Sequence, residues 1–379
     1  MKRRDFLVSA MAVGSAGFSV SSRVFGQVRP CPVPELRVDD TVVNTSCQST
    51  AIENVAASLS PGQSTSLGDT GLSSDALFTI QWANRFHYDH SRGRAHLLGK
   101  NASSQGGERS HCIYDAASNK WQYAIYGGSE TGHIYESFIY DPKTGTPYHG
   151  MWSTGATPLR YWTEGSRLDS WSTTSTAPWN FSSTNATNPV LGWHPNLFGE
   201  GDGGVLAIRL VSGSTVELVA WRRSNNTWSR VEGSSHSASG GSPQYGAIEY
   251  IRGAGYAIAT FATGNTYIIR AGSGGRIATP ERISNPPIQC RHTGTGNIGI
   301  LIDDPSGGPA PYILEKGGSN RVWRYEGGQW RQRNYTHPLP AGGVTSNTNW
   351  VVASVYPLGV FWGRDNRSSS PSIIWRPSG

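Results

Sequence analysis

The sequence predicts an all-β protein folded as a six-bladed β-propeller, and three observations support this fold class. The 379 residues include 47 Gly, 14 Trp and 16 Tyr but only 15% charged residues, a composition that disfavours a helical bundle. Short apolar segments alternate with turns rich in Gly, Pro, Ser and Asp along most of the chain. These segments form groups of four that recur about every fifty residues.

The length of the repeat can be read from the spacing between the third apolar segments of successive groups. Its markers are Ile113, Leu168, Val219, Ile268, Trp323 and Ile374. Successive markers lie 49 to 55 residues apart, a spacing typical of stacked repeats. Four-stranded units at this period, arranged in a ring, form a β-propeller. Seven blades are the alternative if residues 35–75 contain a degenerate unit, and a solenoid or a pair of sandwiches is a further one.

The two ends of the chain are predicted to share one blade. The last group has only three apolar segments before the chain ends, and the segment ALFTIQW at 76–82 is predicted to supply the fourth. Pairing of the first and last segments closes the ring and removes exposed sheet edges. The predicted domains are therefore an N-terminal arm at 27–75 and a propeller at 76–379.

The first 26 residues resemble an export signal. Arg3 and Arg4 precede Phe6 and an uncharged stretch, as in a twin-arginine signal, and an ordinary Sec signal is the alternative. We therefore expect residues 1–26 to be removed and the mature protein to be exported, to the periplasm or the extracellular space. No later segment has the roughly 20 apolar residues that a spanning helix needs, so no membrane span is predicted.

The net charge limits the classes of partner that the chain is expected to bind. Four basic residues and one acidic residue in the signal segment account for half of the formal net charge of +6. The remaining chain has no basic run, which argues against a nucleic-acid partner, and we expect a monomer.

In an exported protein Cys31 and Cys47 are predicted to form a disulfide, whereas Cys112 and Cys290 either pair or stay free.

Histidines gather on one predicted face of the propeller. The loops between strands 2 and 3 and the loops between blades share this face, which we call the loop face; the turns between strands 1 and 2 lie on the opposite turn face. Five histidines are assigned to the loop face: His111, His133, His236, His292 and His337. Histidine is a common general base and metal ligand, so a site on the loop face is predicted; polar surface or contacts between blades are the alternative.

The histidines predict two kinds of chemistry. For β-elimination on a uronic acid, His111 is the candidate base, Tyr161 or His133 the acid, and Arg109 with Arg291 the group that binds the carboxylate. The candidate substrate-binding residues are Arg160, Trp162, Trp193, His194, Arg291 and His292. The candidate ligands of a divalent metal, from three successive loops between blades, are His236, His292 and His337.

Two groups of residues resemble known propellers. Tyr114-Asp115 followed by Trp121, and Gly317-Gly318 followed by Tyr325 and Trp330, resemble the kelch and galactose-oxidase-like propellers, which implies the fold. The histidine spacing is similar to that of propeller-type polysaccharide lyases acting on ulvan or oligogalacturonide.

The lyase resemblance implies an enzyme that cleaves an acidic polysaccharide or oligosaccharide by β-elimination. A non-catalytic carbohydrate- or protein-binding propeller is the second hypothesis, and a metal-dependent oxidoreductase is the third. The acidic pair Asp303-Asp304 is interpreted as a turn and not as a glycosidase couple.

Overall fold

A computed structural model gives the architecture. It describes residues 49–72, 83, 85–100, 109–126, 136–150, 155–181, 189–212, 215–237, 246–261, 263–290, 298–316, 319–339, 350–365 and 372–378. These residues form six β-sheets, each with at least four strands, in the order that the repeat predicts. The prediction of a six-bladed propeller is thus confirmed.

Each blade is a sheet whose strands follow one another in the chain. The N-terminal elements are α1 (Ala51–Ser58) and β1 (Ser64–Ser66). Blade 1 contains β2 (His87–Asp89), β3 (Arg94–Lys100), β4 (Arg109–Asp115) and β5 (Lys120–Tyr126). Blade 2 contains β6 (Phe138–Asp141), β7 (Thr146–His149), β8 (Arg160–Tyr161) and β9 (Ser172–Thr173). Blade 3 contains β10 (Leu191–His194), β11 (Gly204–Ser212), β12 (Thr215–Arg222), β13 (Thr227–Arg230) and β14 (His236–Ser237).

The second half of the ring repeats this plan. Blade 4 contains β15 (Ala247–Ile251), β16 (Tyr256–Thr260), β17 (Thr266–Arg270) and β18 (Glu281–Ile283), with a 3-10 turn at Arg252–Ala254. Blade 5 contains β19 (Gln289–Cys290), β20 (Ile298–Ile302), β21 (Tyr312–Lys316), β22 (Arg321–Glu326) and β23 (Gln329–Thr336). Blade 6 contains β24 (Trp350–Val355), β25 (Val360–Asp365), β26 (Ile373–Trp375) and, from the other end of the chain, β1.

The blades pack through both faces of each sheet. Successive side chains of a strand point to opposite faces, so one strand contributes to two cores. In β11, Val205 and Ala207 pack with residues of blade 2, whereas Leu206 and Ile208 pack with residues of blade 4. This explains why the second and third strands read as continuous apolar runs, as strands buried on both faces do.

An N-terminal strand completes the last blade, as predicted, but the strand is β1. Thr65 pairs with Ile374 in an antiparallel ladder at the outer edge of blade 6. All three residues of β1 are exposed, so no apolar pattern marks this strand in the sequence. The predicted segment at 76–82 lies outside the described residues.

Asp69 holds this closure together. Its Oδ1 accepts a hydrogen bond from the backbone N–H of Ser372 at 2.6 Å, and its Oδ2 accepts one from Trp121 Nε1 at 2.7 Å and another from Arg364 Nη1 at 3.0 Å. A single carboxylate, 2% exposed, therefore ties the N-terminal segment to blades 6 and 1.

Blades 2, 3 and 5 depart from the regular repeat. In blade 3 the short strand β14 pairs with β12 as a fifth strand. The third strand of blade 2 is β8, only two residues long, and Leu168 lies after it in a loop and not on a strand as the period predicted. In blade 5, β19 adds a fifth strand parallel to β20. Within the described part of the chain, no helix has the length and apolarity to cross a membrane.

Candidate ligand site at the propeller axis

A cavity lies on the propeller axis, at the turn face. The innermost strands end there, and the cavity between them has a volume of about 40 Å³, room for a few ordered waters. Its polar lining residues are Arg85, His87, Tyr88, Tyr140, Glu249, Arg252 and Ser354. We call it the axial cavity.

Arg85 forms the floor of the axial cavity. It comes from blade 1, donates to Glu136 of blade 2, and reaches across the axis to Glu249 and the carbonyl oxygen of Ile248 in blade 4. Burial alone would lower the pKa of Arg85, but the two carboxylates outweigh that effect and raise it. The guanidinium therefore stays charged and closes the axis below the cavity.

Three residues from blades 4 and 5 form a hydrogen-bonded cluster at one side of the cavity; Glu249 and Arg252 line it, and Asp303 lies behind them. The backbone N–H of Arg252 donates to Asp303 Oδ1, and its Nη1 donates to Oδ2, both at 3.2 Å. The backbone N–H of Asp303 in turn donates to Glu249 Oε1 at 3.3 Å. Burial raises the pKa of Asp303 to about 8; Arg252 opposes this and Glu249 adds to it. Asp303 is thus mostly protonated at neutral pH.

Tyr356 does not line the cavity itself but lies outside it, against Arg252 of the lining, and we call this contact the rim of the cavity. It lies in the turn after β24 and is 41% exposed, the only exposed large hydrophobic side chain among the described residues. The guanidinium carbon of Arg252 lies 5.1 Å from its ring centre. Gly307, with a φ of +75°, packs against the ring so closely that a Cβ would lie 2.6 Å from Cε2. The turns of blades 4, 5 and 6 thus meet at this rim.

His87 and Ser354 add neutral polar groups. His87 Nε2 donates to the carbonyl oxygen of Phe138 at 3.2 Å, which leaves Nδ1 as an acceptor. Burial lowers the pKa of His87 to about 3, so the ring is neutral. Ser354 Oγ is buried and has no hydrogen-bond partner among the described residues. An unsatisfied buried hydroxyl indicates a water or a ligand.

Lys316 lies near Glu136 in the interior. Its Nζ donates to the carbonyl oxygen of Trp350 at 3.1 Å and lies 4.5 Å from the centre of that ring. Burial lowers the pKa of Lys316 to about 7, against the effect of Glu136. This lysine is 5% exposed and is not part of the cavity lining.

His111, the predicted base, is enclosed between blades 1 and 2. Its Nδ1 donates to the carbonyl oxygen of Leu168 at 3.2 Å, and its Nε2 accepts from His96 Nδ1 at 3.3 Å. Trp162 packs edge-on against the His111 ring at 5.2 Å. Burial lowers the pKa of His111 to about 4. The structure therefore brings His111 and Trp162 together in a contact between blades, with neither side chain exposed.

The other predicted lyase residues are only partly described. Tyr161 and Arg160 are half-buried on β8, and Tyr161 packs against Tyr148 with ring centres 6.0 Å apart. Arg109 begins β4, but its side chain lies outside the described part. His133, Arg291 and His292 also lie outside it. Their catalytic and binding roles stay predictions.

Trp193 and His194 are buried on β10. The ring of Trp193 stacks on Tyr148 with ring centres 6.0 Å apart, and the guanidinium carbon of Arg223 lies 5.5 Å from its centre. His194 Nδ1 accepts from the backbone N–H of Asn196 at 3.1 Å, and burial lowers the pKa of His194 to about 4. Both side chains pack inside the described structure.

The predicted metal ligands lie at different blade junctions. His236 packs on Phe261 of blade 4, whereas His337 packs on Trp350 of blade 6 and donates from Nε2 to the carbonyl oxygen of Glu315 at 2.8 Å. Among the described residues, no three His, Cys, Asp or Glu side chains are grouped to hold a metal ion. Because the third ligand, His292, falls outside these residues, the metal site stays a prediction.

Cys112 and Cys290 are free thiols buried in blades 1 and 5. Burial raises the pKa of Cys112 to about 12, and it also raises the pKa of Cys290, so both are protonated. Cys31 and Cys47 lie outside the described residues.

The axial residues were not predicted as a site. Glu249 interrupts the apolar run AIEYI and Arg85 precedes an innermost strand, and a charged residue in a buried strand is a signal of an internal partner. Asp303 was noted only as part of a turn. The interpretation as a turn residue is correct for Asp304, whose Oδ1 accepts a hydrogen bond from the backbone N–H of Ser306 at 2.9 Å.

Comparisons with known proteins find similar structures only. No family model and no curated protein matches the chain. Regucalcin, a calcium-binding protein from Agrobacterium tumefaciens, is 9% identical with a TM-score of 0.47, covering 80% of this chain and 95% of its own. A NanB sialidase mutant from Streptococcus pneumoniae is 11% identical with a TM-score of 0.46, covering 82% and 70%. The WD40 domain of Toxoplasma gondii coronin is 12% identical with a TM-score of 0.44, covering 83% and 85%. At these sequence identities and TM-scores, none of the similar structures supports a conclusion about function. The order of the strands in its sheets identifies the chain as a six-bladed β-propeller.

Proposed function

We propose that this protein is an exported, carbohydrate-active propeller that binds a sugar residue over the mouth of the axial cavity, with one substituent of the ring reaching into it. The observation that carries the proposal is the cluster of Tyr356, Arg252 and Glu249 at the mouth of a partly open, polar cavity. Ligand pockets commonly combine a concave wall, an aromatic surface and a few converging polar groups.

The chemistry of the rim favours a sugar. A sugar ring has C–H groups on its faces and hydroxyl groups at its edge. Tyr356 offers an exposed ring for the faces, and Tyr is suited to sites with one apolar and one wet side. Arg252 and Glu249 offer a charged donor and a charged acceptor, which form stronger hydrogen bonds with hydroxyls than neutral groups do.

A calorimetric titration tests the proposal. Neutral, amino and uronic mono- and oligosaccharides would be titrated into the wild type, Tyr356→Ala and Tyr256→Ala. The last variant is a matched control, because Arg270 lies 5.6 Å from the Tyr256 ring and pairs with Glu281, a similar arrangement away from the cavity. We expect at least one sugar to bind, Tyr356→Ala to bind it about tenfold or more weakly, and the control to bind it normally. Absence of any binding, or equal binding by all three proteins, would overturn the proposal.

β-Elimination on a uronic acid is the alternative that the sequence favours, and it would use the loop face. Its support is the group of His111, Tyr161 and Arg109 on neighbouring strands of blades 1 and 2. To act as the base, His111 would have to leave its contacts with His96 and Leu168. Incubation with uronic-acid polysaccharides, followed by the ultraviolet absorbance of an unsaturated uronate, tests this reaction. A product that His111→Ala fails to form would replace our proposal with the lyase.

A further inference from the structure

We infer that the sugar substituent reaching into the axial cavity is an uncharged hydroxymethyl group, so that the site selects sugars with a free primary alcohol. This inference rests on the proposed function and names the substrate class of that same site. Three features of the cavity carry it: its size, the pairing of its charges, and the mixture of donors and acceptors in its lining.

The volume of the axial cavity limits the substituent to a few atoms. The cavity measures about 40 Å³, and an ordered water needs roughly 10–15 Å³ of such space, so about three water-sized atoms fit. A hydroxymethyl group adds two non-hydrogen atoms beyond the sugar ring, whereas an acetamido group adds four. A hydroxyl attached directly to the ring adds one and leaves most of the cavity unfilled. Size therefore favours hydroxymethyl over either of these substituents.

Each charged side chain of the lining already has a partner of opposite charge. Arg85 binds both Glu136 and Glu249, and Arg252 binds Asp303. A uronate would bring a further negative charge, and an ammonium would bring a further positive one, while the charges of these groups are already paired. A charge without a partner in a poorly hydrated site is costly. The pairing therefore favours an uncharged substituent.

The lining offers both donors and acceptors to a hydroxyl. Glu249 uses two of roughly four acceptor positions, since its Oε2 accepts from Arg85 and its Oε1 from the backbone of Asp303. Arg252 lines the same side with its guanidinium, which is a donor only. Ser354 Oγ is buried and has no partner among the described residues. A hydroxyl donates and accepts at once, whereas an ammonium only donates and a carboxylate only accepts.

Tyr356 explains how the sugar ring stays outside while its substituent enters. The exposed aromatic ring lies against Arg252, and Arg252 itself lines the cavity. A sugar ring packed on Tyr356 therefore has the cavity beside its edge, and the hydroxymethyl group projects further from that edge than a ring hydroxyl does. Its oxygen then lies where a water would otherwise bind, and a ligand group that reproduces the hydrogen bonds of a water keeps their contribution to affinity.

A series of analogues of one sugar tests the inference. The sugar with a free primary alcohol that binds most tightly in the first titration would be compared with its 6-deoxy, pentose, 6-amino-6-deoxy and uronate analogues, by calorimetry at pH 7.5. We expect each analogue to bind about tenfold or more weakly, because each loses a hydrogen bond to a charged group or brings an unpaired charge. Equal binding of the 6-deoxy or pentose analogue would overturn the inference.

A substitution in the cavity provides a second test. Ser354→Val removes the unpartnered hydroxyl and narrows the cavity, so the preference for the hexose over its pentose analogue should disappear. Ser229→Val, the same change at a half-buried serine on β13 of blade 3, is the matched control and should keep the preference. An unchanged preference in a folded Ser354→Val protein would overturn the inference.

Saturation-transfer NMR gives a third readout that needs no variant. Saturation passes from the protein to the ligand protons that lie closest to it. We expect the C6 protons of the bound hexose to receive the largest share, and a larger share at the anomeric carbon would overturn the inference. This readout and the analogue series decide the question if Ser354→Val fails to fold, which a thermal melt would reveal.

The two levels of the account fail in different ways. If sugars bind but the 6-deoxy, pentose, 6-amino or uronate analogue binds as tightly as the hexose, or only sugars without a primary alcohol bind, the inference is wrong and the proposed function stands. If none of the sugars binds, the proposed function fails and the inference fails with it.

Discussion

Asp303 shows how the interior changes the chemistry of a single residue. As a sequence feature it belongs to an acidic pair at the end of an apolar strand. In the structure its side chain is 2% exposed and both its oxygens accept hydrogen bonds from Arg252. Burial nevertheless keeps its pKa near 8. Sequence alone reveals the pair of acids but not which of them the fold encloses.

The raised pKa of Asp303 makes stability fall at high pH. Its folded pKa of about 8 lies above its ordinary value of 3.8, so its contribution is fully present below pH 4 and is lost as the pH rises through 8. Asp303→Asn should remove that loss and reduce the decrease in unfolding free energy between pH 5 and pH 9 by about 1–2 kcal/mol. Chemical unfolding at both values measures it. Asp169→Asn, at an exposed ion pair, is the control, and parallel curves for all three proteins would contradict the prediction.

Buried neutral histidines should make stability fall in acid as well. Burial lowers the pKa of His87 to about 3 and the pKa of His111, His194 and His337 to about 4, all below the ordinary 6.5. The unfolded chain then binds more protons, so stability is full above pH 6.5 and is lost as the pH falls towards 4. His111→Gln should reduce the loss between pH 7.5 and pH 5 by about 1–2 kcal/mol. Urea unfolding measures it, and an unchanged pH dependence would count against the buried, neutral state.

At the scale of elements, the pattern of apolar residues predicted the strands that are buried on both faces by the neighbouring blades. Five of the six period markers lie on third strands, and the exception, Leu168, follows the two-residue strand β8. Pattern failed where a strand is exposed: β1 is Ser-Thr-Ser, and hydrogen bonds alone place it beside Ile374. It also failed for His111, because a histidine on a strand that packs between blades resembles a loop histidine in the sequence.

Asp69 is the residue on which ring closure depends most. Asp69→Ala removes the carboxylate that binds Arg364, Trp121 and Ser372 in the buried junction of the chain ends. Loss of one partner of a buried ion pair costs about 3–5 kcal/mol, so we expect a loss of this size in unfolding free energy. Denaturant unfolding measures it. Asp115→Ala, at the half-buried end of β4, should change stability far less, and equal effects would show that Asp69 does not close the ring.

At the scale of the whole molecule, the propeller is a ring closed by charges across its axis. Arg85 connects blade 1 to blade 4, which is opposite in a six-bladed ring, and also binds Glu136 of blade 2. Repeat spacing predicted the number of blades, because each blade follows the same local pattern. It carried no information on which residues meet at the axis, since those contacts join residues up to 164 positions apart.

Removal of Arg85 should therefore weaken the ring as a whole. Arg85→Met keeps the length of the side chain but leaves Glu136 and Glu249 without their shared cation. We expect a loss of about 3–5 kcal/mol in unfolding free energy at neutral pH. The loss should shrink in acid, because burial raises the pKa of Glu249 and this carboxyl then takes up a proton more readily. Arg167→Met, at an exposed pair, is the control, and a loss that is equal at pH 4.5 and pH 7.5 would argue against an electrostatic role.

The central claim is that the ligand binds at the turn face of the axis. Hydrogen–deuterium exchange with and without a saturating sugar tests it most directly, because exchange reports each segment separately. We expect protection in residues 250–254, 303–308 and 353–358, the turns of blades 4, 5 and 6 around the axial cavity. Protection confined to residues 155–159, 263–265 and 319–320, which join second to third strands, would contradict the account and place the site at the loop face.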